Sequence, residues 1–168
     1  MSSQSTVRAG IALIAVLLAA GAVASCASSK NALSAPAQQA MRIDAFVQGL
    51  QEQLNRRDHA GLLALTAPPL SDDPAFAKNL RALIDQTNAI DATFVIERLW
   101  QVSAESTRVD LHWTLRIESA ADRSASGPAN ESTATGSARF TITGKETPRL
   151  TTVAGDNPFI LQPSRPLP

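Results

Sequence analysis

The sequence predicts an α+β domain in which helices come first and an antiparallel sheet follows. Two observations predict it. Apolar residues recur at 3.6-residue spacing between residues 37 and 86, and they alternate with polar residues after Asn88. The chain has 168 residues, a length that suits one domain. It carries 15 Lys+Arg and 15 Asp+Glu, for a formal charge of zero. That balance excludes the basic footprint of a general nucleic-acid binder and a long charged tail. A hydrophobic fraction of 44% with 18% charged residues suits a packed domain and not a disordered chain. Tyrosine is absent, so no mechanism here uses a phenolic acid. The one cysteine precludes an intramolecular disulfide.

The first helix is predicted from about Ala37 to Arg56. Ile43, Phe46, Val47, Leu50 and Leu54 lie on one helical face. Gly49 costs helicity there, and its small size suggests close approach by another element. The turn Asn55-Arg56-Arg57-Asp58 ends the pattern, and Asp58 is a good N-cap for a short helix through Leu65. Pro68-Pro69 stops that helix. Asp73 followed by Pro74 is a cap with proline at the first helical position. The third helix then runs to about Gln86, with Phe76, Leu80, Leu83 and Ile84 as its stripe. Strand 1 is predicted over Ala92–Val102, with Phe94, Ile96, Trp100 and Val102 on one face and Arg98 interrupting it. Strand 2, Thr107–Glu118, alternates most clearly: Val109, Leu111, Trp113, Leu115 and Ile117 face in. Ser119–Asn130 is a loop with Gly127-Pro128. Strand 3, Glu131–Thr143, turns Ala134, Gly136, Ala138, Phe140 and Ile142 inward. A short strand 4 covers Thr147–Ala154. Prolines 158, 163, 166 and 168 make the tail extended or disordered, and 161–168 is set apart as a Pro-rich tail.

Ahead of the domain, residues 9–24 contain no polar side chain and follow a start whose only charge is Arg8. That run is short for a membrane span, which needs roughly 20 residues, and reads as a secretory signal. Val23-Ala24-Ser25-Cys26 resembles the lipobox of bacterial lipoproteins: one aliphatic residue, two small ones, then Cys. The resemblance implies a signal peptide over 1–25, a diacylglycerol on the Cys26 thiol, often an acyl chain such as palmitate on the new amino terminus, and a mature chain starting at Cys26. An ordinary signal peptide with a coincidental Cys and an uncleaved anchor are the alternatives. A lipidated Cys26 would remove the lone thiol that an oxidising compartment makes a liability. The implied location is the bacterial cell envelope, with the membrane as partner. Ala27 in place of the retaining Asp points to the periplasmic face of the outer membrane in a two-membrane source. Residues 26–36 then form a flexible tether, and 37–160 the domain.

The order of elements over Ile43–Phe159 resembles the nuclear transport factor 2-like superfamily. Its most telling part is the long first helix, the turn Asn55–Asp58 and the leucine-rich helix His59-Ala60-Gly61-Leu62-Leu63-Ala64-Leu65. The resemblance implies a cone made of about three helices on a curved antiparallel sheet. A cystatin-like helix-on-sheet domain is the competing architecture. The superfamily holds isomerases, dehydratases and cyclases as well as inactive domains. Its enzymes place a carboxylate or histidine on the concave face.

Strands 2 and 3 offer no such group on their inner faces, and strand 1 offers Arg98 only. Arginine orients an anion but cannot act as a base at neutral pH. Asp110 and His112 share the polar face of strand 2, so an acid–base role for the pair competes with plain surface placement. His59 follows a cap and is expected to be exposed. No spacing suggests a metal site, a phosphate loop or a cofactor. The candidate pocket comprises Arg98, Trp100, Trp113 and Phe140, suited to an apolar or anionic small ligand. The sequence thus favours a non-catalytic binding domain. An enzyme using Asp110, His112 or Arg98 and a structural homodimer are the alternatives.

Overall fold

In the computed structural model, residues 33–119 and 131–160 are described. The N-terminal signal, Cys26 and the loop and tail segments 120–130 and 161–168 lie outside them. The described residues from Ala35 to Ile160 form one compact unit. Its order is α1 (Ala35–Asn55), α2 (His59–Ala64), α3 (Pro74–Asp85), then β1 (Thr87–Gln101), β2 (Ser106–Ser119), β3 (Glu131–Thr143) and β4 (Arg149–Gly155). The four strands pair antiparallel in the order β1-β2-β3-β4, so the fold is the predicted α+β arrangement of helices on one sheet.

Each helix buries the stripe its spacing dictates. Ile43, Phe46, Val47, Leu50 and Leu54 are the buried residues of α1, and Phe76, Leu80, Leu83 and Ile84 those of α3. The Asp58 side chain caps α2 by accepting from the Gly61 N–H at 2.8 Å. Asp73 caps α3 by accepting from the Ala75 N–H at 2.8 Å, with Pro74 placed where its missing donor costs nothing. Helix α1 starts two residues earlier than predicted, because Pro36 opens the first turn as readily as it closes a tether. Gly49 has open space around it and is approached by nothing within 4 Å, contrary to the close contact expected from its size.

The polar turn after α1 joins helices to sheet. The Asn55 side chain accepts from the Ala92 N–H at 2.6 Å and donates to the Ala92 carbonyl at 3.3 Å. One turn earlier, Gln51 accepts from the Phe94 N–H at 2.8 Å. These bonds cover the middle of the free edge of β1, at Ala92 and Phe94, which would otherwise be open to pairing. Arg57, at φ 57°, donates to the Ile84 and Asn88 carbonyls at the end of α3 and the start of β1. The β4 edge is covered in the same way: the Leu150 N–H donates to the Leu65 carbonyl and the Ala67 N–H donates to the Leu150 carbonyl, both at 2.9 Å.

One prediction about β1 fails. Ile96 pairs with Leu111 but Arg98 pairs with Asp110, so Glu97 is an extra residue in a β-bulge. A one-residue insertion inverts every later side chain. Beyond it Leu99 faces in opposite Val109, and Arg98 and Trp100 turn outward. Val102, expected inside, is exposed beyond the strand.

Candidate functional site

The four candidate pocket residues do not gather at one place. Trp113 and Phe140 are both buried on the inner face of the sheet, Trp113 opposite Gly136 and Phe140 farther along, opposite Val109. Arg98 and Trp100 stand on the opposite, outer face of the sheet because of the bulge at Glu97. The expectation that Arg98 is the charged group of the cone is therefore corrected.

The interior of the cone is occupied by the chain itself. After the last β3–β4 pair, Ala138 with Gly155, the backbone turns at Gly155 with φ 86°. Asp156 docks on β3: its N–H donates to the Ser137 carbonyl at 2.9 Å, and its carboxylate accepts from the Ser137 N–H at 3.2 Å. The Trp113 indole N–H donates to the Asp156 carbonyl at 2.8 Å, which satisfies the one polar atom of that ring. Three residues later Phe159 enters the core with 1% of its surface exposed. Its ring stacks on Phe140 at 5.9 Å and 24°, and meets Phe76 and Phe94 edge-on at 5.9 and 6.3 Å. Burying a phenyl side chain stabilises by about 1.5–3 kcal/mol, and each well-oriented ring pair adds roughly 0.5–1.5 kcal/mol. Sequence reasoning missed Phe159 because Pro158 and the prolines beyond it read as tail. A lone aromatic residue outside any period carries no packing signal.

The polar groups gather on the outer sheet face. The Arg139 guanidinium forks the Asp110 carboxylate, Nε to Oδ1 at 2.7 Å and Nη2 to Oδ2 at 3.2 Å. It also lies over the Trp100 ring, 5.2 Å from the centroid. The hydrogen bond from Arg139 holds the Asp110 carboxyl below its usual range, partial desolvation opposes this, and the charges of Arg139 and Arg98 assist. The same bond raises Arg139. Arg108 is the register partner of Trp100 on β2, and Arg98 stands two residues before Trp100 on the same face of β1. His112 is exposed between Val95 on β1 and Ser137 on β3. His59 is half-buried at the start of α2, where exposure was expected, and its Nε2 has no hydrogen-bond partner.

Two open grooves flank this face. One, about 320 Å³, is lined by Glu97, Asp110, Ser137, Arg139 and the end of β4. The other, about 410 Å³, lies at the far end of the strands against Asp91, Arg116, Glu118 and Glu131. Among the described residues, no group of His, Cys, Asp and Glu is placed to hold a metal ion. No helix among them is long and apolar enough to cross a membrane.

No protein-family model and no curated protein matches this sequence. Solved structures do resemble it in fold. A nuclear transport factor 2-like superfamily protein from Salmonella enterica serovar Typhimurium aligns with a TM-score of 0.54 at 11% identity, over 72% of this chain and 92% of that one. A protein of the same fold and unknown function from Shewanella oneidensis gives 0.51 at 14% identity, over 70% and 98%. A candidate dehydratase of that family from Streptomyces avermitilis gives 0.52 at 13% identity, over 70% and 95%. At these identities the likeness shows the fold alone: helices packed on a curved four-stranded antiparallel sheet, as in the nuclear transport factor 2-like structures.

Proposed function

We propose that this chain is a lipid-anchored protein of the bacterial envelope whose domain is a binding module working through the outer face of its sheet. The observation that carries the reading is the division of the domain. Phe76, Phe94, Phe140 and Phe159 take up the cone, while the outer face presents Trp100 under the Arg139 guanidinium, with Arg98 and Arg108 on neighbouring positions of the same face. Tryptophan and arginine dominate the energetics of protein interfaces. Support for the anchor comes from the lipobox-like order Val23-Ala24-Ser25-Cys26 after an apolar run. A cyclase, isomerase or dehydratase would draw on Asp110, His112 or Arg98. All three stand on the outer face, and Asp110 is already engaged by Arg139.

The charge pattern of that face favours a second copy as its occupant. Arg98, Arg108 and Arg139 lie toward one end, set against Glu97 and the engaged Asp110. Asp91, Glu118 and Glu131 lie toward the other, set against Arg116. A two-fold axis through the sheet centre brings unlike ends together, as an isologous interface requires. The exposed Val95, at 54%, sits between them.

Two measurements test the reading. Cys26→Ser should abolish incorporation of an alkynyl palmitate label and shift the chain to the soluble or the uncleaved fraction. A cleaved, membrane-bound, unlabelled product would sink the anchor. Light scattering on the chain beginning at Ala27 should report a dimer that dissociates in Arg108→Glu. A monomer at all concentrations would exclude the second copy, and a dimer indifferent to Trp100→Ala and Arg108→Glu would exclude this face.

A further inference from the structure

We infer that the cone holds a latent site for a phenyl-sized apolar ring, kept occupied by the chain's own Phe159, and that residues 156–160 form a plug that opens without unfolding the sheet. This goes beyond the outer-face role, which needs nothing from the interior. Three rings from three separate elements converge on one position: Phe76 of α3, Phe94 of β1 and Phe140 of β3. Together they provide one stacking partner and two edge-on partners, the arrangement in which aromatic rings attract. The ring that fills the position does not come from a helix or a strand. It comes from a short segment beyond the last pair of the β3–β4 ladder.

Among the described residues, that segment is hydrogen-bonded to the domain at one point, and beyond it packing alone holds the buried Pro158 and Phe159. Its hydrogen bonds to the rest of the domain converge on Asp156, through Ser137 and the Trp113 indole. The Phe159 N–H bonds only within the segment, to the Asn157 side chain at 2.9 Å. Gly155, with φ 86°, supplies a pivot where the ladder ends. The edge contacts at Ala92 and Phe94 of β1 and at Leu150 of β4 are made by Asn55, Gln51, Leu65 and Ala67 and not by the segment. Opening therefore breaks the Asp156 contacts and uncovers three phenyl faces, and leaves the ladder and the helix stripes intact. A flat apolar ligand of phenyl size regains the ring contacts that Phe159 gives up. This is a sub-global opening in which ligand and plug compete for one position.

Native-state hydrogen exchange on the full chain tests this, with toluene as the probe. The Asp156 amide and the Trp113 indole N–H should exchange at least about tenfold faster than the Leu111 and Leu115 amides, under conditions where the fold is intact. Toluene should speed exchange at Asp156 further, in proportion to its concentration, without changing Leu111. In Phe159→Ala toluene should raise the melting temperature and shift the Trp113 emission. Phe159→Leu, which keeps most of the volume, should respond like the native chain. If Phe159→Ala fails to fold, the exchange measurements on the native chain decide alone. Exchange of Asp156 and the Trp113 indole at the global rate would overturn the plug. Indifference of the native chain to toluene at saturation would overturn the site.

Discussion

Gly136 lies beneath the indole of Trp113, its direct partner across β2 and β3, and a Cβ there would come within 2.6 Å of the ring atom Cζ2. The same Cβ would come within 2.6 Å of the Asp156 Cβ. Neither neighbour is free to move. Trp113 is 1% exposed, and its N–H is tied to the Asp156 carbonyl. One missing methyl group thus lets the central tryptophan and the C-terminal segment share one spot.

Gly136→Ala should accordingly destabilise the fold by about 1–3 kcal/mol, the usual cost of overpacking a filled site. It should also speed exchange at Asp156. Urea unfolding measures the first effect. An unchanged midpoint would mean that ring and segment can separate at no cost, contrary to the contacts observed.

Strand β2 supports a paired prediction. Trp113→Ala should cost roughly 3–5 kcal/mol, because it empties the largest buried side chain of the core. His112→Ala, one position away on the exposed face, should stay within about ±0.5 kcal/mol. Thermal melts of the two variants check the orientation of the strand, and a reversed order would contradict it.

The contrast between β2 and β1 shows how far the sequence was legible. In β2 each step of alternation survives into the sheet, because β3 pairs with it in unbroken register and the extra residues of the β1–β2 pairing lie on β1. In β1 the register slips at Glu97, and a reading that assumes period two assigns Arg98 and Trp100 to the wrong side. The adjacent charges Glu97-Arg98 in an otherwise alternating strand were the available signal. The helix stripes were legible because each helix has one neighbour to pack on, the core. Phe159 was not, since its burial depends on a tertiary position created by α3, β1 and β3 together. The polar face was legible as polar, but the Asp110–Arg139 pair depends on a cross-strand register that no local pattern encodes.

That pair predicts a pH dependence. The Asp110 carboxyl is held below its ordinary range in the folded state, first by the hydrogen bond from Arg139. A depressed folded pKa adds stability above the unfolded value, about 3.9, and the addition is lost as pH falls through the folded value. The stability difference between the native chain and Asp110→Asn should be flat above about pH 5 and shrink below about pH 4. Both side chains retain solvent contact, 51% for Arg139 and 23% for Asp110, so the difference should be small and fall with added salt. A difference that grew on acidification would place the carboxyl's pKa above, not below, its ordinary value.

Gly49 offers a gain in stability. It sits inside α1, between the buried positions Val47 and Leu50, and a Cβ built on it meets nothing within 4 Å. Its backbone is helical and needs no left-handed conformation, so the glycine has no geometric role. What it does contribute is disorder in the unfolded chain, which folding must remove. Gly49→Ala should therefore stabilise the domain by roughly 0.5–1 kcal/mol, chiefly by narrowing the unfolded ensemble. The denaturation midpoint should rise while the slope against denaturant stays the same, because the surface exposed on unfolding is nearly unchanged. If the variant were instead destabilised, some element would have to approach this face of α1 closely in solution, as the size of the residue first suggested.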